Sequence, residues 1–261
     1  MHYEQREAEV YDRIYASKKD DIPYWQNLAR EYAGEDGQAL ELACGTLRIT
    51  LPVAEAGVRV TGIDESRFML QLARQKLDNA AEEVRARVTL IQDDMRSFNL
   101  GRTFNLIYVP FNTFGIVTTI QDQLAILETA RKHLAPGGVF ALDVFVPDPE
   151  RLSNANADRW HLETDESFPD GTRLQRDTVR ENDLRRQIIS LTWRTKEYQN
   201  DVLANEWITD LKLSYFFPRE LEHLFVRAGY EIVHYWGEYD RTDFWSMSAP
   251  WKQLIVARPR G

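Results

Sequence analysis

Three short segments carry residue types that could do chemistry together. Glu41-Leu42-Ala43-Cys44-Gly45-Thr46 closes an apolar run on a glycine, Asp64 follows Gly45 by 19 positions, and Asp93-Asp94-Met95 closes a later apolar run. A glycine at such a bend lets the backbone approach a ligand, and the N–H groups opening the next helix suit an anionic group. An acid about 20 residues after the loop is placed to accept hydrogen bonds from ribose hydroxyls. A carboxylate in Asp93-Asp94 can accept from an adenine amino group while the next backbone N–H meets a ring nitrogen. The combination points to an adenosine-type cofactor. The register Ala43-Cys44-Gly45-Thr46-Leu47-Arg48 lacks the first and last glycine of a dinucleotide loop, which argues against NAD. No His, Cys and carboxylate spacing suits a metal, and no glycine-rich lysine loop suits a nucleoside triphosphate.

These groups must be held by elements that the periodicity outlines. Apolar residues recur at helical intervals from Val10 to Tyr32, with Pro23 opening a second helix. Strands are expected over Ala39–Cys44, Val58–Ile63, Val88–Gln92, Phe104–Val109 and Val139–Val146. Helices are expected through Ala56, from the N-cap Ser66 to Leu77, and over Gln121–Leu134. Such alternation implies a mostly parallel sheet covered on both faces. Asp170-Gly171, Asn182-Asp183 and Asn200-Asp201 then mark turns in an antiparallel meander. Pro218 opens a helix ending at Gly229, and strands follow over Tyr230–Trp236 and Gln253–Ala257. The expected organisation is an N-terminal helical lid (1–36), a cofactor-binding core (37–147), an antiparallel β insertion capping the substrate (148–215), and a C-terminal helix with the last two core strands (216–261).

A chain of 261 residues with 43% hydrophobic and 28% charged residues suits a packed globular protein. Its net charge of -9 and the absence of a basic stripe argue against nucleic-acid binding. Cys44, the single cysteine, cannot form an intrachain disulfide. The opening residues carry no signal-like apolar region, and no apolar run approaches the ~20 residues that span a bilayer. A cytoplasmic protein without a membrane partner is expected; a monomer and a homodimer fit equally.

The ordered set Glu41–Thr46, Gly62–Ser66, Gln92–Arg96, Phe104–Tyr108 and Leu134–Gly138 resembles the successive motifs of class I S-adenosylmethionine-dependent methyltransferases. Phe216–Leu221 and Ala228–Tyr230 are similar to the C-terminal part of small-molecule members, and Val10–Tyr15 to the opening of amino-sugar N-methyltransferases. The resemblance implies a Rossmann-like, doubly wound seven-stranded sheet with one antiparallel edge strand. It implies S-adenosylmethionine as cofactor and S-adenosylhomocysteine as product. On it, Ala43, Cys44 and Gly45 face the methionine part, and Asp64 with Glu65 holds the ribose. Phe68 or Met69 packs on the adenine, with Asp93, Asp94 and Met95 at its polar edge. Tyr11, Tyr15 and Trp25 come from the lid, and Pro110, Phe111 and Asn112 border the reacting methyl. Leu47 stands where the family usually has a further glycine.

Methyl transfer needs in-line geometry more than covalent help, so positioning and water exclusion are expected to supply most of the rate. A neutral amine needs only to lose a proton to solvent, whereas a hydroxyl needs a base. Tyr15, Asn112 and His161 are the candidate catalytic residues, with His234 a further candidate base. Asn112, Phe114, Trp160, Arg173, Trp193, Tyr239, Arg241 and Trp245 are the candidate acceptor contacts. The alternative for these is that the tryptophans fill the cap's own core and the arginines are solvated. The expected function is methylation of N or O on a small molecule. An RNA or protein methyltransferase, and a non-catalytic cofactor-binding protein, are the other readings.

Overall fold

The computed structural model describes residues 5–34, 37–153 and 159–261, so the boundary expected at residue 36 lies outside them. In chain order the core elements are α1 (Gln5–Ile14), α2 (Ile22–Tyr32), β1 (Gln38–Leu42), α3 (Thr50–Glu55), β2 (Arg59–Asp64), α4 (Arg67–Asp78), α5 (Glu82–Arg85), β3 (Val88–Gln92), β4 (Phe104–Val109), α6 (Ile120–His133) and β5 (Leu134–Phe145). After α7 (Pro149–Ser153) come the cap strands β6 (His161–Ser167), β7 (Thr172–Asp183), β8 (Ile188–Gln199) and β9 (Val202–Ser214). The chain returns to the core with α8 (Pro218–Arg227), β10 (Tyr230–Trp236) and β11 (Lys252–Pro259).

The main sheet has seven strands in the order β10-β11-β5-β4-β1-β2-β3. Strands β1 to β5 run parallel, and β11 is antiparallel to both β5 and β10. The expected reversal thus falls in the edge pair, with β11 as the reversed strand, one position in from the edge. A direct return without a crossover helix makes consecutive neighbours antiparallel, and β10 joins β11 in that way. Helices cover both faces, so the central strands are buried along nearly their whole length. One face packs Phe104, Phe114, Ile126, Phe140 and Phe225. The other packs Trp25, Leu28, Val53, Tyr108 and Leu254 beneath α2 and α3.

Strand β5 begins at Leu134 rather than Val139, because Leu134 already pairs with Phe104 before a register shift. Two other boundaries move for identifiable reasons. The helix after β1 starts only at Thr50, because Gly45 (φ 53°) and Leu47 (φ 70°) hold left-handed backbone that no α-helix admits. The second cap turn is not centred on Asn182-Asp183. Strand β7 continues through Asp183, whose carboxylate accepts from the N–H groups of Arg185 (3.1 Å) and Arg186 (3.0 Å) and so opens a turn at 184–187. The turns at Asp170-Gly171 and Asn200-Asp201 lie where their sequence puts them, and Ser66 caps α4 by accepting from Met69 N–H at 3.3 Å. Helix α7 was not anticipated. No helix among the described residues is long and apolar enough to cross a membrane.

Candidate active site

The parallel strands deliver their C-terminal tips to one edge of the sheet, where a cavity of about 460 Å³ opens. Asp64, at the tip of β2, is its most constrained acid. One carboxylate oxygen accepts from Gly45 N–H and the other from Ser66 N–H, both at 2.8 Å. Burial raises the Asp64 pKa, opposed by those two backbone hydrogen bonds. Each oxygen keeps a lone pair for a ligand donor. Glu65, Met69, Asp93, Asp94 and Met95 line the same wall. Asp94 is held by Arg96, whose side chain donates to both of its oxygens and keeps its pKa low. Among the described residues, five carboxylates, from Asp64, Glu65, Asp93, Asp94 and Asp122, line the cavity against one cation, Arg96, which favours a positively charged ligand.

The loop between β1 and α3 has a backbone made for glycine. Ala43 (φ 56°), Gly45 (φ 53°) and Leu47 (φ 70°) alternate through the left-handed region. A Cβ on Gly45 would meet no atom within 4 Å, leaving its Cα face open toward the cavity. Leu47 does not narrow that approach, because its side chain turns away and packs with Cys44, Leu70 and Ala73. Left-handed backbone costs an L residue about 1–2 kcal/mol, while glycine costs roughly 0.5–1 kcal/mol in chain entropy. Ala43→Gly should therefore change stability by less than about 1 kcal/mol. Leu47→Gly should lose roughly 2 kcal/mol or more, because the buried side chain goes too. Urea unfolding checks both, and an Ala43→Gly loss as large as that of Leu47→Gly would contradict the argument.

Helix α1 roofs the cavity. Tyr11 and Tyr15 line it with ring centroids 4.7 Å apart, and Tyr15 meets the edge of Phe111 at 5.1 Å. Burial pushes the Tyr15 hydroxyl up to about 12, against the opposing charge of Arg176, so at neutral pH it is a phenol and no base. On the core side Asp12 takes Lys76 and the Thr46 hydroxyl, each at 2.6 Å. On the cap side the buried Glu7 meets Arg176 at 2.5 Å and accepts from Trp207 and Thr209 at 3.2 Å. Beneath the loop, Glu41 accepts from Thr50 (2.6 Å) and Tyr108 (2.9 Å), and burial pushes its pKa up to about 7.

A second chamber of about 990 Å³ adjoins the first and shares Asn112, Leu191 and Leu213 as walls. Its charged lining includes Lys18, Asp148, Glu163, Arg180 and Lys252, with His161 and Thr178 among its polar groups. The Glu163 pKa is raised by burial, with Arg176 opposing.

Of the residues named from sequence, Tyr11, Tyr15, Ala43, Gly45, Asp64, Glu65, Met69, Asp93, Asp94, Met95, Phe111, Asn112 and Trp193 meet at the first cavity, and His161 lies on the second. The others stand elsewhere. Trp25 stacks on Tyr108 at 5.3 Å against the sheet face, and Phe114 packs on Phe216 in the core. Cys44 points its thiol at Gly62, where a Cβ would come within 2.8 Å of the sulfur, and Pro110 is buried off the cavity wall. Trp160 lies under the Arg194 guanidinium, and Arg173 pairs with Asp165 at 2.7 Å. Tyr239 donates to Asp143 at 3.1 Å, and Arg241 pairs with Glu31 at 2.7 Å. Trp245 packs against Tyr235 and Phe244, while His234 stacks on Trp236 at 4.6 Å. Phe68 sits beneath Arg67, off both cavity walls.

Sequence reasoning missed the buried ion pairs Glu7–Arg176 and Asp143–Lys252. A signal existed for the second, since Asp143 interrupts an otherwise apolar strand and Lys252 opens another. Among the described residues no group of His, Cys, Asp and Glu side chains is arranged to hold a metal.

The site fits S-adenosylmethionine on three observations of its own: the doubly held carboxylate of Asp64, the open face of Gly45, and an acidic wall roofed by two tyrosine rings, suited to a sulfonium. Residues 39–138 match the model of a methyltransferase domain. The chain is 30% identical over 159 residues to a cypemycin N-terminal methyltransferase from Streptomyces sp, spanning 60% of each protein. It is 31% identical to a dTDP-3-amino-3,4,6-trideoxy-alpha-D-glucopyranose N,N-dimethyltransferase from Streptomyces venezuelae, over 73% of this chain and 77% of that relative. The CcbJ methyltransferase from Streptomyces caelestis shares the fold with a TM-score of 0.80 at 22% identity, covering 97% of this chain and 96% of that one. With its strand tips, its acidic cavity and these matches in agreement, the chain belongs to the S-adenosylmethionine-dependent methyltransferases.

Proposed function

We propose that this enzyme methylates an amine on a small molecule seated in the second chamber. The observation that carries the reading is the shared wall: Asn112 borders both cavities, so a donor in one and an acceptor in the other meet beside it. The bound cofactor supplies an electrophilic methyl group. The chain's own residues do the rest by orientation and by excluding water, with Tyr11 and Tyr15 above, Phe111 and Asn112 beside, and Trp193 and Leu191 from the cap. An amine arrives largely protonated and must lose that proton before it can attack. Glu163 and His161 line the chamber and can take it.

The names of the two relatives support an amine, since one is an amino-sugar N,N-dimethyltransferase and the other an N-terminal methyltransferase. The net charge of -9 favours a small molecule over RNA as the partner, and a membrane partner has no support in the fold. The lone cysteine suits a reducing, cytoplasmic setting. Transfer of tritium from methyl-labelled cofactor tests the reading, with dTDP-3-amino-3,4,6-trideoxy-alpha-D-glucopyranose, short peptides and ribosomal RNA as acceptors. Label is expected in an amine of low molecular mass. Saturable binding of S-adenosylhomocysteine with label only in RNA or in no acceptor would overturn it.

A further inference from the structure

The turn that joins the two cavities is held in an uncommon conformation. Phe111 (φ 65°) and Asn112 (φ 58°) are consecutive non-glycine residues in the left-handed region. Such a pair persists only where its surroundings over-determine it. Here one residue does so: Asp143 accepts Phe111 N–H on its carboxylate at 2.5 Å and Asn112 N–H on its backbone carbonyl at 3.2 Å. The second carboxylate oxygen of Asp143 takes the Lys252 ammonium at 2.8 Å and the Tyr239 hydroxyl at 3.1 Å. Lys252 also donates to Asn112 Oδ1 at 3.4 Å.

Both charges are buried, with side-chain exposures of 4% for Lys252 and 0% for Asp143. A buried ion pair is weak evidence for stability, because desolvation offsets its attraction. Its geometry here is specific instead to the turn. An ammonium can only donate, so the atom Asn112 presents to it is the amide oxygen, and the amide nitrogen is left as the donor toward the cavities. We infer that Asp143 and Lys252 are positioning residues, which lock the Phe111–Asn112 turn and fix the direction of the Asn112 amide where the cofactor and acceptor cavities meet. The inference concerns the acceptor side of the proposed amine methylation and rests on that reading for its catalytic consequence. Tyr239, on the loop after β10, completes the support from behind.

Three variants separate the parts. Lys252→Met removes the ammonium and keeps most of its stem, but strands the Asp143 charge and so risks the fold. Asp143→Asn with Lys252→Met removes both charges while an oxygen at 143 still accepts Phe111 N–H. Asn112→Asp identifies the Asn112 side-chain amide resonances by their absence in nitrogen-15 spectra of the S-adenosylhomocysteine complex. In the double variant those resonances should move from a dispersed position into the envelope of exposed asparagines, while the Phe111 amide and the rest of the spectrum persist. Turnover of dTDP-3-amino-3,4,6-trideoxy-alpha-D-glucopyranose should fall at least 30-fold in kcat, with S-adenosylhomocysteine affinity changed less than threefold. Unmoved Asn112 amide resonances in the double variant overturn the inference, whether or not that sugar is turned over. Absence of turnover in the wild type, with the resonances moving as described, defeats only the proposed acceptor.

Discussion

Asp64→Ala is expected to weaken S-adenosylhomocysteine binding by about 10²–10⁴, the largest effect of any single substitution in the cavity. Asp64 is 8% exposed, with one backbone N–H on each carboxylate oxygen, so a ligand meets two lone pairs already aimed. A hydrogen bond to a charged group is worth roughly 1.5–3 kcal/mol, and every 1.4 kcal/mol is about tenfold in affinity. Two ribose hydroxyls on one carboxylate give the stated range. Asp64→Asn keeps one accepting oxygen but turns its amide nitrogen toward the N–H of Gly45 or Ser66, so its loss should exceed the roughly tenfold of one missing ligand bond and approach that of Asp64→Ala. The pH dependence has a definite sign. Burial raises the Asp64 pKa in the folded protein, so the protonated form contributes stability that is lost as the pH rises through that raised value. Ligand hydroxyls favour the carboxylate, so affinity should weaken as the pH falls through the same value. Calorimetry across the acid range checks both statements. Equal affinity in Asp64→Ala would remove Asp64 from the site.

What the sequence revealed and what it hid follow from the range of the interactions. Gly45, Asp64 and Asp93-Asp94 were legible because parallel neighbours place their tips together, so position along a strand already gives position at the sheet edge. Tyr11 and Tyr15 were legible only through a resemblance, since helical spacing says which face is buried and not what it covers. Tyr239 and Arg241 illustrate the limit. Both lie in the loop after β10, yet Asp143 on β5 and Glu31 on α2 claim them, 96 and 210 residues away in sequence. The same holds for Arg173, which a neighbouring cap strand neutralises through Asp165. In each case the protein itself supplies the partner of a polar residue that its type alone would offer to a ligand. Such partners come from elements that periodicity cannot order in space.

Glu7→Ala should loosen the roof of the cofactor cavity and lower S-adenosylhomocysteine affinity about 10- to 100-fold, with the core left intact. Glu7 and Arg176 have side-chain exposures of 1% and 2%, and removing one partner of a buried pair costs roughly 3–5 kcal/mol because the other is left uncompensated. The loss need not be borne by the whole fold. Helix α1 has 10 residues and is marginal alone, and its core-side link through Asp12 and Lys76 is a partly exposed pair worth about 1 kcal/mol or less. Detaching α1 is therefore the lower-cost response, and the penalty caps at the cost of that local opening. A binding-competent population of one part in ten lowers apparent affinity about tenfold. Hydrogen exchange should then show faster exchange confined to α1 and the facing cap strands, with β1, β2 and β4 still protected. Glu7→Gln with Arg176→Met removes both charges and should recover much of the affinity, since it leaves no charge uncompensated in the interface. Faster exchange spread evenly over the core strands in Glu7→Ala would show instead that lid and core open as one unit.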